Sequence, residues 1–192
     1  MEQRLYDLFE SRQVKSGKAD IKVITVEKGA VLYDIDQPFT DIYEIKSGAV
    51  KLGTVSDKAG KHIYEVVRSG DLFGNTAFLP ERFSEFSKAI VPSVLYVYKL
   101  DFFKQYVVND PVLAQGFMER IIARWHKTET VLSSIRHLDP RERILNLYNS
   151  LSQKIPIAGG RAVSINKNLT KQDLADLTAT TRQLVADTLK SC

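Results

Sequence analysis

The sequence has one cysteine, Cys192, and three histidines, His62, His126 and His137. A single thiol excludes an internal disulfide, and any zinc site or iron–sulfur cluster that needs several cysteines of one chain. His126 and His137 stand eleven positions apart on one expected helix, which is not metal-ligand spacing. The lone His62 of the first half fits a surface or strand position better than a ligand role. No Ser-His-Asp or Cys-His grouping stands out. Apolar runs long enough to span a membrane, about 20 residues, are missing. The start, Met1-Glu2-Gln3-Arg4-Leu5-Tyr6, lacks the apolar stretch of a secretory signal. These absences lead to the expectation of a cytoplasmic protein that carries no cofactor, touches no membrane and is not an enzyme.

What is present is a chain of 192 residues, 44% hydrophobic and 26% charged, the make-up of one large globular domain or of a medium and a small one. The net charge of +4 is unevenly placed. From Asp139 onward eight basic residues face five acidic ones, so this stretch holds +3 of the total. A mild basic excess permits a polyanion partner without demanding one.

Residues 21–100 read as strands. Ile21, Val23 and Thr25 alternate with Lys22, Ile24 and Val26, and β-type segments follow at Val31–Tyr33, Ile42–Ile45, Val50–Leu52, Ile63–Val67 and Val94–Tyr98. Glycines at 29, 48, 60, 70 and 74 punctuate them, and Lys58-Ala59-Gly60-Lys61 reads as a hairpin turn. Many short strands with regular turns predict an antiparallel barrel or jelly roll. A short helix, Phe102 to Val107, then leads to Asn109-Asp110-Pro111, where Asp110 caps and Pro111 opens a helix running to about Arg136. Along it Ala114, Met118, Ile121, Trp125, Thr128, Leu132 and Ile135 recur by fours and threes, while Leu113, Phe117 and Ile122 form a second apolar strip. One broad stripe against a single core would also give this pattern. The length of the seam favours two burials: the roll on one strip and the same helix of a second chain on the other.

Asp139-Pro140-Arg141-Glu142 starts another helix, to about Gln153, with cap, proline and reciprocal glutamate in register. Ala158-Gly159-Gly160 makes a turn and Arg161 to Ile165 a short strand. Thr170 then caps a helix with Asp173 three positions on, and Thr181 caps a second whose Leu184, Val185 and Leu189 pack back on Leu174 and Leu177. Any small α-hairpin shares this pattern. In a helix-turn-helix, however, the exposed Thr180, Thr181, Arg182 and Gln183 would form the end that enters the DNA major groove.

Four segments, Ser47–Leu52, Gly70–Gly74, Leu138–Ile144 and Thr180–Gln183, in this order and spacing, resemble the Crp/Fnr family of bacterial transcription regulators. The resemblance implies an α+β fold: an N-terminal antiparallel jelly roll for effector binding (residues 1–109), a long dimerisation helix and hinge (110–138) and a helix-turn-helix domain (139–192). It implies a homodimer that senses a small molecule, reads palindromic double-stranded DNA and has RNA polymerase as a further partner. The effector is unidentified. At the pocket positions Gly74, Asn75, Ser87, Lys88 and Thr128, the family's cyclic-AMP binders place a glutamate where Asn75 stands and a phosphate-binding arginine where Ser87 stands. A hydroxyl cannot replace a bidentate guanidinium on an anion, so cyclic AMP is not the expected ligand. Arg82 or Lys88 would have to supply charge from another place. Thr128 matches a base-contacting position, and its neighbour Glu129 does not match.

At the DNA end, the resemblance aligns Arg182 with a guanine-reading arginine and Gln183 with a position usually held by glutamate. Gln183 would then suit adenine, and Thr170, Lys171 and Thr180 would hold phosphates. Asp187 stands where many members carry arginine, and those members continue past Cys192 into a β-hairpin wing. These two departures support an alternative, a ligand-binding or protein-interaction module of the same fold without DNA binding. An enzyme on a cupin-like roll would need clustered metal ligands that His62 alone does not supply.

Overall fold

The computed structural model describes residues 4–14, 20–35, 41–56, 60–74 and 84–190. Lys58, Ala59, Asn75, Arg82 and Cys192, which the sequence singled out, lie outside the described residues.

Among the described residues eight strands build the roll: β1 Ile21–Val26, β2 Val31–Tyr33, β3 Asp41–Ser47, β4 Ala49–Ser56, β5 Gly60–Arg68, β6 Leu72–Gly74, β7 Phe86–Ala89 and β8 Ser93–Lys99. They form two antiparallel sheets, ordered β1-β8-β3-β6 and β2-β7-β4-β5. Alternation sends Ile45, Val50, Leu52, Val67, Phe73 and Leu95 into the space between the sheets, where all six are fully or almost fully buried. The β3–β4 corner needs glycine: Gly48 has φ +98°, and a Cβ there would meet the Ser93 hydroxyl at 2.1 Å. The strands β6 and β7, of three and four residues, are absent from the sequence reading, since neither contains the β-branched residue that marked the equally short β2.

A seven-residue helix, α1 Leu5–Ser11, was also unforeseen. So short a helix is marginal alone. Here the buried Glu44 accepts from the backbone N–H of Leu5 (2.7 Å) and Tyr6 (2.9 Å) and from the Tyr98 hydroxyl (2.6 Å). Leu5 and Phe9 fill a core shared with Phe103 and Leu113.

Helix α2, Leu100–Asn109, precedes α3, Pro111–His137. As expected, Asp110 caps α3, accepting from Val112 N (2.9 Å) and Leu113 N (3.2 Å). The expected inner strip holds only in part. Leu113 is fully buried and Phe117 packs on the same core, whereas Ile122 is 49% exposed. Beyond Phe117 the side of α3 toward the roll turns ionic: Arg124 pairs with Glu65 at 2.7 Å and Lys127 with Asp71 at 2.6 Å.

The C-terminal part comprises α4 Pro140–Ser150, β9 Lys154–Pro156, β10 Ala162–Ser164, a single 3-10 turn at Asn166–Asn168, α5 Lys171–Thr178 and α6 Arg182–Lys190. Helix α4 stops three residues before Gln153, since β9 has to start at Lys154 to pair with β10. Leu151, Ile157 and Ile165 share a core with Ala49, Ile90 and Val91 of the roll. Polar links reinforce this contact: Lys51–Asp173 at 2.6 Å, and the Ile63 N–H to the Asp176 carboxylate at 3.1 Å. No helix among the described residues is long and apolar enough to cross a membrane.

Candidate nucleic-acid interface and roll interior

The helix pair is built from reciprocal caps. The Thr170 hydroxyl accepts from Asp173 N at 3.0 Å while the Asp173 carboxylate accepts from Thr170 N at 2.9 Å. Ala179 closes α5 in the left-handed region, φ 50° and ψ 50°. An alanine there costs about 1 kcal/mol, offset by a tight turn in which Thr180 N donates to Ala175 O at 2.9 Å. The Thr181 hydroxyl then caps α6, accepting from Leu184 N at 3.2 Å. Ile144, Leu174, Ala175 and Val185 form the buried centre, with Leu184 and Leu189 against it.

This packing fixes what α6 presents outward. Thr181, Arg182, Gln183, Asp187 and Lys190 are exposed, as are Thr170 and Lys171 at the start of α5; Thr180 is half-buried. Among the described residues Arg182 and Lys171 have no ion-pair or hydrogen-bond partner. Gln183, in contrast, donates its side-chain N–H groups to both Asp187 oxygens at 3.0 Å.

Arg143 went unnoticed in the sequence as more than part of a motif. Its guanidinium donates to Thr178 O (2.9 Å) and Ala179 O (3.3 Å) at the end of α5, and to Leu138 O (3.1 Å) and Ile135 O (3.3 Å) at the end of α3. One side chain thus ties the long helix to the turn before α6.

The expected effector positions are not all gathered. Ser87 is fully buried, between its strand partners Tyr33 and Leu52. Lys88, the next residue, is exposed on the opposite face of the sheet, opposite Lys51 in the β4–β7 register. It therefore brings no charge into the interior, correcting its assignment to the pocket. Gly74 has φ +97°, with the Asp41 carbonyl 2.8 Å from where a Cβ would stand. Thr128 is exposed on α3, its hydroxyl donating to Arg124 O at 3.2 Å.

Near Ser87 stands instead a single buried carboxyl held by two phenols, that of the buried Tyr33 and that of Tyr64, which is 37% exposed. Glu85, 5% exposed, accepts from the hydroxyls of Tyr33 and Tyr64. Tyr64 is the unpaired residue of a bulge, since Leu52 pairs with Glu65 and Gly53 with Ile63. Burial pushes the Glu85 carboxyl up, against the pull of the two phenols and of Arg124. Burial, and then Glu85, push both phenols up, so they stay protonated and donate. Burial works against the charge of Arg124, but the ion pair and hydrogen bond with Glu65 overcome it and hold the guanidinium charged.

Along α3 the expected seam is largely open. Met118 (57%), Trp125 (66%) and Leu132 (59%) lie seven residues apart on one line, with Thr128 and Ile135 exposed nearby; Ala114 and Ile121 are half-buried.

Residues 23–110 match the family described as Cyclic nucleotide-binding domain. The chain is 24% identical to the Global nitrogen regulator of Synechococcus elongatus, over 91% of this chain and 80% of that one. It is 21% identical to the Anaerobic regulatory protein of Pasteurella multocida, over 84% of this chain and 59% of the other. Among solved structures, the c-di-GMP-responsive global regulator CLP of Xanthomonas campestris superposes with a TM-score of 0.70 at 16% identity, over 90% of this chain and 86% of that one. A CRP-family transcriptional regulator of Thermus thermophilus gives 0.70 at 15%, over 88% and 83%.

Proposed function

Since the chain has the fold of Crp/Fnr-type regulators and is their relative in sequence, we propose that it is a dimeric, DNA-binding transcription regulator. The observation that carries this reading is the exposed N-terminal end of α6, where Arg182 has its donors unclaimed by the chain. Guanidinium donors on such an end suit guanine N7 and O6 in the major groove. Thr170, Lys171 and Thr180 would hold phosphates, and Thr181 would set the start of the reading helix.

The exposed line Met118, Trp125 and Leu132 supports a parallel homodimer along α3, with Ala114, Ile121, Thr128 and Ile135 flanking it. Each large apolar side chain buried there is worth roughly 1.5–3 kcal/mol. In a two-fold pair the reading helices would enter major grooves about 34 Å apart.

The effector is a small molecule other than cyclic AMP. The buried carboxyl of Glu85, bonded by the phenols of Tyr33 and Tyr64, stands near Ser87, where a cyclic phosphate would need a cation.

A second reading, an interaction module that does not bind DNA, is favoured only by the exposed carboxylate of Asp187 on α6. Electrophoretic retardation of a genomic fragment pool at moderate salt, with sedimentation of the free protein, separates the two. The regulator predicts a dimer and a set of retarded fragments that Arg182→Ala releases. A dimer with no retarded fragment would establish the module instead.

A further inference from the structure

Three polar ties fix how the start of the helix pair crosses the outer face of the roll. Lys28, shortly before β2, donates from Nζ to Asn168 Oδ1 at 3.0 Å. Lys51 of β4 meets Asp173 at 2.6 Å, and the Ile63 N–H of β5 meets Asp176 at 3.1 Å. Residues 168, 173 and 176 thus pass over the sheet in the order β2, β4, β5, with β7 between the first two. On β7 the outward residue is Lys88, whose cross-strand neighbours are Val31 and Lys51. Its Cε lies 3.9 Å from where a Cβ on Gly29 would stand, next to Lys28. Lys28 and Lys88 therefore flank the approach to Thr170, and Lys167 and Lys171 are exposed before and after that residue. Among the described residues Lys88, Lys167 and Lys171 have no ion-pair or hydrogen-bond partner. Against these lysines stand Glu27, exposed beside Lys28, and Asp173, whose carboxylate is already taken by Lys51 and Thr170 N.

We propose that this track of lysines makes the outer face of the roll a second DNA surface, one that holds phosphates beyond the base pairs read by α6. The inference rests on the DNA-binding and dimer readings above. An exposed ammonium is a mobile point charge, suited to phosphate oxygens rather than to base edges. Like charges grouped in this way repel one another, and a duplex strand brings one negative charge about every 3.4 Å to offset them. Continuity favours DNA over another anion, because the track joins Thr170 and Lys171, which hold phosphates in that reading. Its direction follows from the strand order. Arg124 of α3 pairs with Glu65 on β5, at one edge of the sheet, and Lys28 precedes β2, at the other edge. The two-fold axis of the proposed dimer runs along α3, so both tracks lie away from it, toward the outer ends of a palindromic site. Duplex that continues past each half-site would then run along Lys28 and Lys88.

The bond from Lys28 to Asn168 could serve only to hold the 3-10 turn on the roll, and that role would alter stability without altering salt dependence. Salt dependence is therefore the deciding readout. A palindrome enriched from random DNA is prepared as two duplexes, one bare and one extended at each end by about one helical turn, roughly 10 base pairs. The full chain is titrated with both over a range of salt, beside Lys28→Ala with Lys88→Ala and Lys28→Arg with Lys88→Arg, exchanges at exposed positions. The wild type is expected to bind the extended duplex more tightly, its salt slope steeper by roughly one for each added phosphate contact. The alanine pair should abolish that difference and the arginine pair should keep it, with the enriched sequence unchanged in both. Equal slopes on the two duplexes for the wild type, or a difference that survives in the alanine pair, overturn the proposal while leaving DNA binding intact. A wild type that enriches no palindrome, or binds neither duplex at low salt, overturns the DNA-binding reading itself.

Discussion

In the roll, the buried carboxyls and the ions that reach it from α3 are answered from within the chain; at the outward start of α5 and α6, Lys171 and Arg182 are left for something else. Glu44 is fully buried and meets three donors, Glu85 meets two phenols, and Arg124 and Lys127 reach from α3 to carboxylates of the roll. Buried polar groups require such partners, since an unmet one costs about 1–3 kcal/mol. Arg182 and Lys171 have none among the described residues. Two regions built from the same residue types therefore differ in what they offer. Among the described residues the roll answers its buried carboxyls from within, a closed region, and the helix pair leaves Arg182 and Lys171 unpaired, an open one.

The largest effect should come from removing the proposed two-fold symmetry of the open region. Met118→Asp with Leu132→Asp places charges on two exposed positions of α3, so the fold should survive while the dimer does not. Monomers should lose about 100-fold or more in affinity for a two-half-site duplex, because the second contact no longer follows from the first. Sedimentation and a DNA titration measure both, and a variant that stays dimeric would move the interface elsewhere.

Next in size is the junction between the regions. Arg143→Ala removes charged donors from four carbonyls at the ends of α3 and α5. A loss of about 2–3 kcal/mol in stability is expected from charged hydrogen bonds of this kind. Chemical denaturation reads it, and an unchanged midpoint would show that α3 and the helix pair are held by apolar contacts alone.

Within the closed region, Glu85 provides a pH test. Burial raises its carboxyl in the folded chain above its unfolded value, near about 4.3. The folded state then holds more protons than the unfolded one across the interval between the two values. The stability from this group is complete below the unfolded value and is lost as pH rises through the folded one. Glu85→Gln should flatten that decline in a series of denaturation curves. An equally steep decline in the variant would place the titrating group elsewhere. The smallest effect belongs to the open region's edge: Lys171→Ala should weaken all DNA sequences alike and reduce the salt slope by roughly one.

The contrast also explains what the sequence made legible. Caps are local, so Asp110, Asp139, Thr170 and Thr181 announced their helices, and the alternation of the longer strands announced the roll. Helix α1 is too short for a local signal and exists through long-range partners such as Glu44, and β6 and β7 contain no β-branched residue to mark them. Without β7 the direction of Lys88 was unreadable, since one residue's shift exchanges inside for outside. The cluster of Tyr33, Tyr64 and Glu85 joins β2, a bulge in β5 and the residue before β7, so no spacing in the chain foretells it. Ile122 was misplaced because the periodicity cannot show that the side of α3 toward the roll turns ionic beyond Phe117. The exposed end of α6 was the most readable because it lies on two adjacent capped helices.

The central claim, that the chain keeps the end of α6 open in order to read DNA, is tested most directly by titrating the full chain, at low and moderate salt, with duplexes enriched from a random pool. The account predicts a palindrome with half-sites about 10–10.5 base pairs apart and a loss of roughly 1–3 kcal/mol for Arg182→Ala on it. A pool that yields no palindrome at any salt, or a wild type and Arg182→Ala that bind it equally, would contradict the claim.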